Sequence, residues 1–184
     1  MATRPKSNLT VEQYLAAYEG AAGRYELVDG EVLKMAAETV LHVRLKGKVF
    51  TALNNAFKNK KSDCEVFQDG IAIKISAKTA REPDVSVQCG KQLDGSSLVL
   101  DKPLIVVEVV SPSSSSTDAN QKLEEYFSVP SIMHYLIVWR NKKLCYLHKR
   151  IDDNKILTTI VRSGKIDFDP PGFSITFDKI FGSS

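Results

Sequence analysis

The sequence predicts a single α/β domain, of the α+β kind, in which a mixed central β-sheet is flanked by helices. Three observations predict it. The chain has 184 residues, with 43% hydrophobic and 26% charged residues, which suits one globular domain with a substantial core. Helical and strand periodicities alternate along the chain without a repeat or a linker. The β-branched run at residues 104–110 predicts a fully buried strand.

The first predicted elements are a short helix and a β-hairpin. Thr10, followed by Gln13 three residues later, fits a capping box for a helix that ends near Tyr18. Residues 24–35 alternate in hydrophobicity around an Asp-Gly pair at 29–30, which is typical of a tight hairpin turn.

A long helix and a second hairpin are predicted next. Apolar residues recur every four positions within residues 39–59, which indicates a helix with one buried stripe. Residues 64–68 and 71–75 flank another Asp-Gly pair and predict a hairpin. The remaining predicted elements are strands at 84–89, 103–110, 133–139, 144–149, 157–162 and 173–177, and a helix at 118–128.

Glu108 is the one charged residue in the buried run. An ionised carboxylate inside an apolar strand is costly unless it is paired or binds a metal, so its partners matter. Asp84 begins a neighbouring strand and Lys122 lies on the following helix. Adjacent strands are about 4.8 Å apart, so both carboxylates could bind one cation. We expect a divalent-metal phosphodiesterase site, with Lys122 steadying a water or the developing charge.

Other polar residues near the predicted site are less specific. Glu26 and Glu31 flank the first hairpin turn and could bring a third carboxylate to the metal, although hairpin glutamates are usually exposed. His42 falls near the apolar face of the long helix, which favours a core-edge histidine over a ligand. The hydroxyl-rich turn at 111–117 could cap the next helix or receive a phosphate at its N-terminus.

Composition restricts the remaining possibilities. No apolar stretch approaches the roughly 20 residues of a membrane span, and residues 1–10 lack the apolar core of a signal peptide, so we expect a cytoplasmic protein. The net charge of +3 permits a nucleic-acid partner without requiring one, and local basic clusters, such as the one around Lys46, are interpreted as solvated faces. Cys64, Cys89 and Cys145 show no C-x-x-C pairing, so core packing is expected for all three and a disulfide framework is not.

Standard catalytic motifs are absent from the sequence. It contains no G-x-S-x-G, H-E-x-x-H, G-x-x-x-x-G-K-[ST] or G-x-G-x-x-G pattern. This absence argues against serine hydrolases, zinc peptidases, P-loop enzymes and Rossmann enzymes.

Four segments together resemble a known family. They are RYELVDGEV (24–32), EPDVSV (82–87), PLIVVEVVSPSSSSTD (103–118) and KLEEYF (122–127). The set resembles a bacterial family of restriction-endonuclease-like proteins, long filed as a domain of unknown function, within the PD-(D/E)XK nuclease superfamily. Each segment alone is weak, but the combination is specific and covers residues 25–139 approximately.

The resemblance implies a mixed four-stranded core flanked by helices, and Mg²⁺-dependent hydrolysis of phosphodiester bonds in DNA, with Mn²⁺ as an alternative ion. Asp84 would supply the aspartate of the pattern and Glu108 its second acid, and both would bind the metal. The lysine expected two residues later is replaced by Val110, and Lys122 on the next helix takes its place. Glu31 matches an acidic residue often contributed from the N-terminal part.

Residues 1–184 are therefore expected to form one nuclease-like domain, with its core at about 25–139 and a C-terminal β extension at about 140–184. The resemblance also suggests a homodimer. The leading hypothesis is a cytoplasmic, Mg²⁺-dependent DNA endonuclease. A non-catalytic DNA-binding or assembly module that keeps the fold is the second hypothesis, and a metal-dependent hydrolase of another phosphate ester is the third.

Overall fold

The computed structural model describes residues 8–60, 62–110 and 116–182, with the side chains of residues 59–60 and 116–119 excepted. In chain order the elements are α1 (Val11–Tyr18), β1 (Tyr25–Val28), β2 (Glu31–Lys34), α2 (Val40–Lys60), β3 (Cys64–Gln68), β4 (Ile73–Lys74), β5 (Ala80–Arg81), β6 (Val85–Cys89), β7 (Pro103–Val110), α3 (Ser116–Ser128), β8 (His134–Trp139), β9 (Leu144–Asp152), β10 (Lys155–Val161), β11 (Lys165–Phe168), β12 (Phe173–Thr176) and α4 (Phe177–Phe181). Of the predicted turn at 111–117, residues 111–115 lie outside the described residues.

A six-stranded sheet forms the centre of the fold, in the order β10-β9-β8-β7-β6-β3. Only β7 and β8 run parallel, and every other neighbouring pair is antiparallel. Because parallel neighbours need a crossover connection, α3 passes over the sheet between them. The predicted mixed sheet flanked by helices is confirmed. Strands β3, β6, β7 and β8 fall within residues 25–139, and β9 and β10 extend the same sheet.

Helices cover both faces of this sheet. On one face α2, α4 and the β11–β12 hairpin pack together, and the Phe57 and Phe173 rings meet at 4.2 Å. On the other face α3 packs through Tyr126, whose ring is 5.0 Å from that of Tyr135. Both faces of β7 are therefore covered, which explains its continuous apolar run.

A smaller, four-stranded sheet has the order β2-β1-β5-β4 and packs against α1. The predicted capping box is present, because the Thr10 hydroxyl accepts from the Gln13 amide while the Gln13 side chain accepts from the Thr10 amide. The first hairpin also forms as predicted, with positive φ at Asp29 and Gly30 in its turn.

The predicted second hairpin is wrong. Asp69 and Gly70 do adopt the positive φ values that their turn requires, but the strands on either side of them join different sheets. Strand β3 pairs with β6 over five residues, and β4 pairs with β5 in the smaller sheet. The turn at Asp69 and Gly70 was predicted correctly. The partner of β3 was not, because β3 pairs with β6 over five residues instead of with β4. The strands β5 and β11 were not predicted.

The expectation for the cysteines also needs correction. Cys64 and Cys89 are directly opposed on β3 and β6, with Cα atoms 3.9 Å apart, and they form a disulfide. The antiparallel register brings them together across 25 residues of sequence, a relation that their spacing does not reveal. Cys145 is buried and free, as expected. None of the helices that the structure describes is long and apolar enough to cross a membrane.

Candidate active site

Asp84 and Glu108 meet where β6 begins and β7 nears its end. Val85 is the register partner of Val107, so the adjoining Asp84 lies opposite Glu108. The Val109 amide donates to Asp84 Oδ2 at 2.7 Å, which holds this carboxylate against β7. The two acids predicted from separate strands are therefore neighbours, and both are buried.

Glu108 lies in a strongly desolvated position, with 8% of its surface exposed. Its Oε1 accepts hydrogen bonds from the Lys122 ammonium at 3.0 Å and from the Tyr126 hydroxyl at 2.7 Å. Burial raises the pKa of Glu108 to about 7, with Asp84 and Glu26 adding to the rise and Lys122 opposing it. This carboxyl group can therefore exchange a proton near neutral pH.

Lys122 reaches the site from α3. The helix crosses from the end of β7 to the start of β8, so its early turns lie near the end of β7 that carries Glu108. The Lys122 ammonium lies 3.0 Å from Glu108 and 3.7 Å from Glu26 Oε1. The structure thus brings Asp84, Glu108 and Lys122 together and adds Glu26, one of the two hairpin glutamates considered above.

Two residues of α2 approach Asp84 from the other side. His42 Nε2 is 3.5 Å from Asp84 Oδ2, and Lys46 Nζ is 3.5 Å from Asp84 Oδ1. Burial alone would raise the pKa of Asp84, but hydrogen bonds from His42 and Val109 and the charge of Lys46 outweigh it and lower this pKa. Asp84 is therefore an ionised acid beside a partly protonated one.

Glu38, His42 and Asp84 each offer a ligand atom within 4.8 Å of the others, a spacing that could hold a metal ion. Carboxylate oxygens are hard ligands suited to Mg²⁺, and imidazole suits Mn²⁺ or other transition metals. Asp84 belongs both to this group and to the pair with Glu108. It is therefore the residue around which either arrangement of ligands would be built.

Lys46 occupies the centre of a buried ionic network. Its side chain is 1% exposed, and its ammonium donates to Glu38 Oε1 at 2.7 Å and to Asp69 Oδ1 at 2.8 Å. Burial would lower the pKa of Lys46, but these hydrogen bonds outweigh it and raise the pKa. The interpretation of Lys46 as part of a solvated basic face was wrong, because the acids around it compensate its burial.

A family model identifies the chain. The model described as "Uma2: Putative restriction endonuclease" matches residues 11–177. The chain belongs to this family. The resemblance seen in the sequence is confirmed.

The chain is also similar to curated relatives and to a solved structure. The chain is 27% identical to the uncharacterised protein slr1290 of Synechocystis sp. over 179 residues, covering 96% of this chain and 93% of the relative. It is also 27% identical to the uncharacterised protein sll1609 of the same organism, covering 82% and 86%. A crystal structure of a putative nuclease belonging to DUF820 from Anabaena variabilis has the same fold, with a TM-score of 0.73, 12% identity and coverage of 94% and 97%.

Glu26 and Glu31 occupy different places in this Uma2 chain. Glu26 Oε2 accepts from the Arg81 guanidinium at 2.9 Å, and Glu26 Oε1 accepts from the Glu82 amide at 3.1 Å. Glu31 stands on β2, opposite Val28, and is partly buried. The ion pairs described above connect Glu26 to Lys122, and an auxiliary role for Glu31 stays a prediction.

Sequence reasoning missed most of the ionic network, although one signal was available. His42 and Lys46 are spaced four residues apart on α2, so they share one side of the helix beside its apolar stripe, and Glu38 stands two residues before the helix begins. Asp69 gave no comparable signal, because it follows β3 and reaches Lys46 only through the tertiary fold.

Proposed function

We propose that this Uma2 protein is a Mg²⁺-dependent DNA endonuclease that hydrolyses phosphodiester bonds, with Mn²⁺ as an alternative ion, and that it acts as a cytoplasmic homodimer. One observation carries the proposal. A buried Glu108 lies opposite Asp84 on the adjoining strand, with the Lys122 ammonium 3.0 Å from it. Two acids and one cationic donor are the groups that metal-assisted phosphodiester hydrolysis needs.

The acids fit a hard divalent ion. Asp84 is ionised, and Glu108 loses its proton near neutral pH, so a cation binding between them would find one ligand ready and the other easily ionised. Glu38 and His42 offer further ligand atoms on the far side of Asp84. A bound Mg²⁺ would polarise a phosphoryl oxygen and lower the pKa of a bound water.

Lys122 is proposed as the group that orients the attacking water or stabilises the charge that develops on the phosphate. Its ammonium is held by Glu108 and lies near Glu26, so it is positioned before substrate arrives. Glu31, on the neighbouring hairpin strand, is proposed as an auxiliary acid.

Basic side chains near α2 support a nucleic-acid substrate. The Arg140 guanidinium donates to the Thr39 hydroxyl at 3.0 Å, next to the start of the helix that carries His42. Lys142 lies 4.5 Å over the Trp139 ring in the same β8–β9 connection. These cations offer phosphate contacts beside the acids.

The test is cleavage of supercoiled and linear DNA with Mg²⁺ or Mn²⁺ by wild type and by Glu108→Gln. We expect metal-dependent cleavage that chelator stops and that Glu108→Gln abolishes while its circular dichroism spectrum is retained. Glu65→Gln, which changes an exposed glutamate on β3, is the matched control and should cleave like wild type. Full activity in Glu108→Gln would refute the assignment of Glu108.

A non-catalytic DNA-binding or assembly module is the second candidate, and one observation favours it. Lys122 pairs with Glu108, and Lys46 approaches Asp84, so the chain's own ammonium groups balance both acids. This candidate predicts DNA binding that is salt-dependent but indifferent to chelator, without cleavage by any variant.

A further inference from the structure

Strand β10 leaves an apolar surface exposed on the side of the large sheet remote from β3. It is an edge strand, because the sheet order begins with β10 and ends with β3. All residues from 151 to 160 are exposed. Among the described residues, half of the exposed large hydrophobic side chains lie here: Ile151, Ile156, Leu157 and Ile160.

An exposed edge of this kind can pair with a strand of another chain. Its outward amide and carbonyl groups have no neighbouring strand within the described part of the chain, and natural proteins usually block such edges with charges, proline or bulges. In β10, Lys155 and the register shift beside it would hinder pairing only at the start of the strand. Residues 156–161 contain neither a charge nor a proline.

We infer that β10 pairs with β10 of a second copy, in antiparallel orientation around a two-fold axis at Thr158, so that the two sheets become one. In that register Ile156 faces Ile160 of the second copy, and Leu157 faces Thr159. The isoleucines from both copies then form one apolar cluster on the same face of the joined sheet, because they alternate with residues of the other face.

Charge complementarity specifies a second copy rather than another partner. Asp152 ends β9, where it pairs with Lys155 at 3.7 Å, and Asp153 follows in the turn, whereas Arg162 and Lys165 lie beyond β10. Antiparallel pairing of two identical strands brings the acidic turn of each copy to the basic end of the other, as an isologous interface requires. Shifting the register by one residue in one direction would place Lys155 opposite Arg162, two like charges. Shifting it in the other direction would place Ile160 opposite Lys155 and separate the isoleucines.

This interface specifies how the proposed homodimer forms. The inference rests on the homodimer in the proposed function and not on the proposed nuclease activity. Its tests need no nuclease activity. A failure of DNA cleavage therefore leaves the interface intact, and a failure of dimerisation leaves the assignment of the active site intact.

The first test is sedimentation velocity over a range of concentrations. We expect a wild-type dimer, and a dissociation constant raised at least about a hundredfold in the Ile156→Lys/Ile160→Lys double variant, because four buried isoleucines become charged. Leu41→Lys/Val43→Lys is the matched control, since both side chains are exposed on α2, and its dissociation constant should equal that of wild type.

The second test fixes the register and does not depend on weakening the dimer. Thr158→Cys should form a covalent dimer on mild oxidation, because the two copies of this residue face each other at the axis. Lys155→Cys should not, since its two copies would lie about 20 Å apart. A wild-type protein that stays monomeric, dissociation caused by the α2 control variant, or equal cross-linking by both cysteine variants would overturn the inference.

Discussion

At the level of single residues, Glu108 and its partners form the centre of the proposed active site. The carboxylate was recognisable in the sequence because it interrupts an apolar run, and Asp84 and Lys122 followed from the strand and helix on either side. Tyr126, which also donates to Glu108, was not singled out from the sequence. Its hydroxyl could not be placed from the sequence, because tyrosine fits a core equally well with or without a polar partner.

The stability of ion-free protein should depend on pH through Glu108. Its pKa is about 7 when folded and lower when unfolded, so its contribution is fully present below the unfolded pKa and is lost as pH rises through about 7. In urea titrations from about pH 5 to 8, wild type should therefore lose roughly 1 to 3 kcal/mol relative to Glu108→Gln.

The trend with pH is the readout, because Glu108→Gln also changes the contact with Lys122 and so shifts stability at every pH. Saturating Mg²⁺ should reverse the trend, because an ion binds the ionised carboxylate. Parallel curves for the two proteins across the whole range would show that Glu108 does not titrate there.

Lys122→Met should lower the single-turnover cleavage rate by about 10² to 10⁴, since a positioned cationic donor is lost at the reacting phosphate. Binding of Mg²⁺, measured calorimetrically near pH 8, should persist because Asp84 and Glu108 remain. Lys91→Met, which removes an exposed lysine from a loop, should cleave at the wild-type rate. An active Lys122→Met enzyme would assign Lys122 to structure alone.

At the level of elements, Arg81 connects the smaller sheet to α3. It lies on β5 and donates to Glu26 on β1 at 2.9 Å and to both carboxylate oxygens of Glu125 on α3, at 2.6 and 2.8 Å. Only 4% of its side chain is exposed. The helix that carries Lys122 is thus linked to the small sheet through a buried ion network.

Arg81→Met should destabilise the protein by about 3 to 5 kcal/mol, because Glu26 and Glu125 would lose a buried cationic partner. Urea denaturation followed by circular dichroism measures this change. Lys74→Met is the control, since it breaks the exposed pair of Lys74 with Glu12 and should cost at most about 1 kcal/mol. Equal effects of the two variants would show that the Arg81 network contributes little.

Elements with strong local signals were predictable, and their partners often were not. The Thr10 cap, the first hairpin and the long α2 helix each depend on residues close in sequence. The pairing of β3 with β6, and with it the Cys64–Cys89 disulfide, depends on a register that forms across 25 residues. Such pairing is decided by packing on both sheet faces, which local propensity does not encode.

At the level of the whole molecule, the candidate site lies at the carboxyl end of the parallel strand pair. Strands β7 and β8 end on the same edge, and the β8–β9 connection carries Arg140 and Lys142. The net charge of +3 is therefore less informative than its distribution, because Arg140 contacts Thr39 just before the helix that carries His42.

Arg140→Ala/Lys142→Ala should weaken DNA binding by Glu108→Gln protein at low salt and reduce the slope of log K against log[salt] by about 1 to 2. Fluorescence anisotropy at several salt concentrations measures the slope. Lys102→Ala, at the end of β7 opposite to Glu108, should leave it unchanged. A slope that is reduced only in Lys102→Ala would show that DNA does not bind at Arg140 and Lys142.

The placement of Lys122 on α3 has a consequence for divergence among Uma2 proteins. Under the proposed role of Lys122, position 110 takes no part in the chemistry, so the residue there can vary within the limits set by the packing of the sheet. Under the same proposal, a relative can carry another apolar residue on that strand while its helix keeps the ammonium in reach of the acid. Active and inactive relatives would then differ in the helix residue. A sequence motif confined to the strand would misclassify them, whereas the distances among the groups equivalent to Asp84, Glu108 and Lys122 would not.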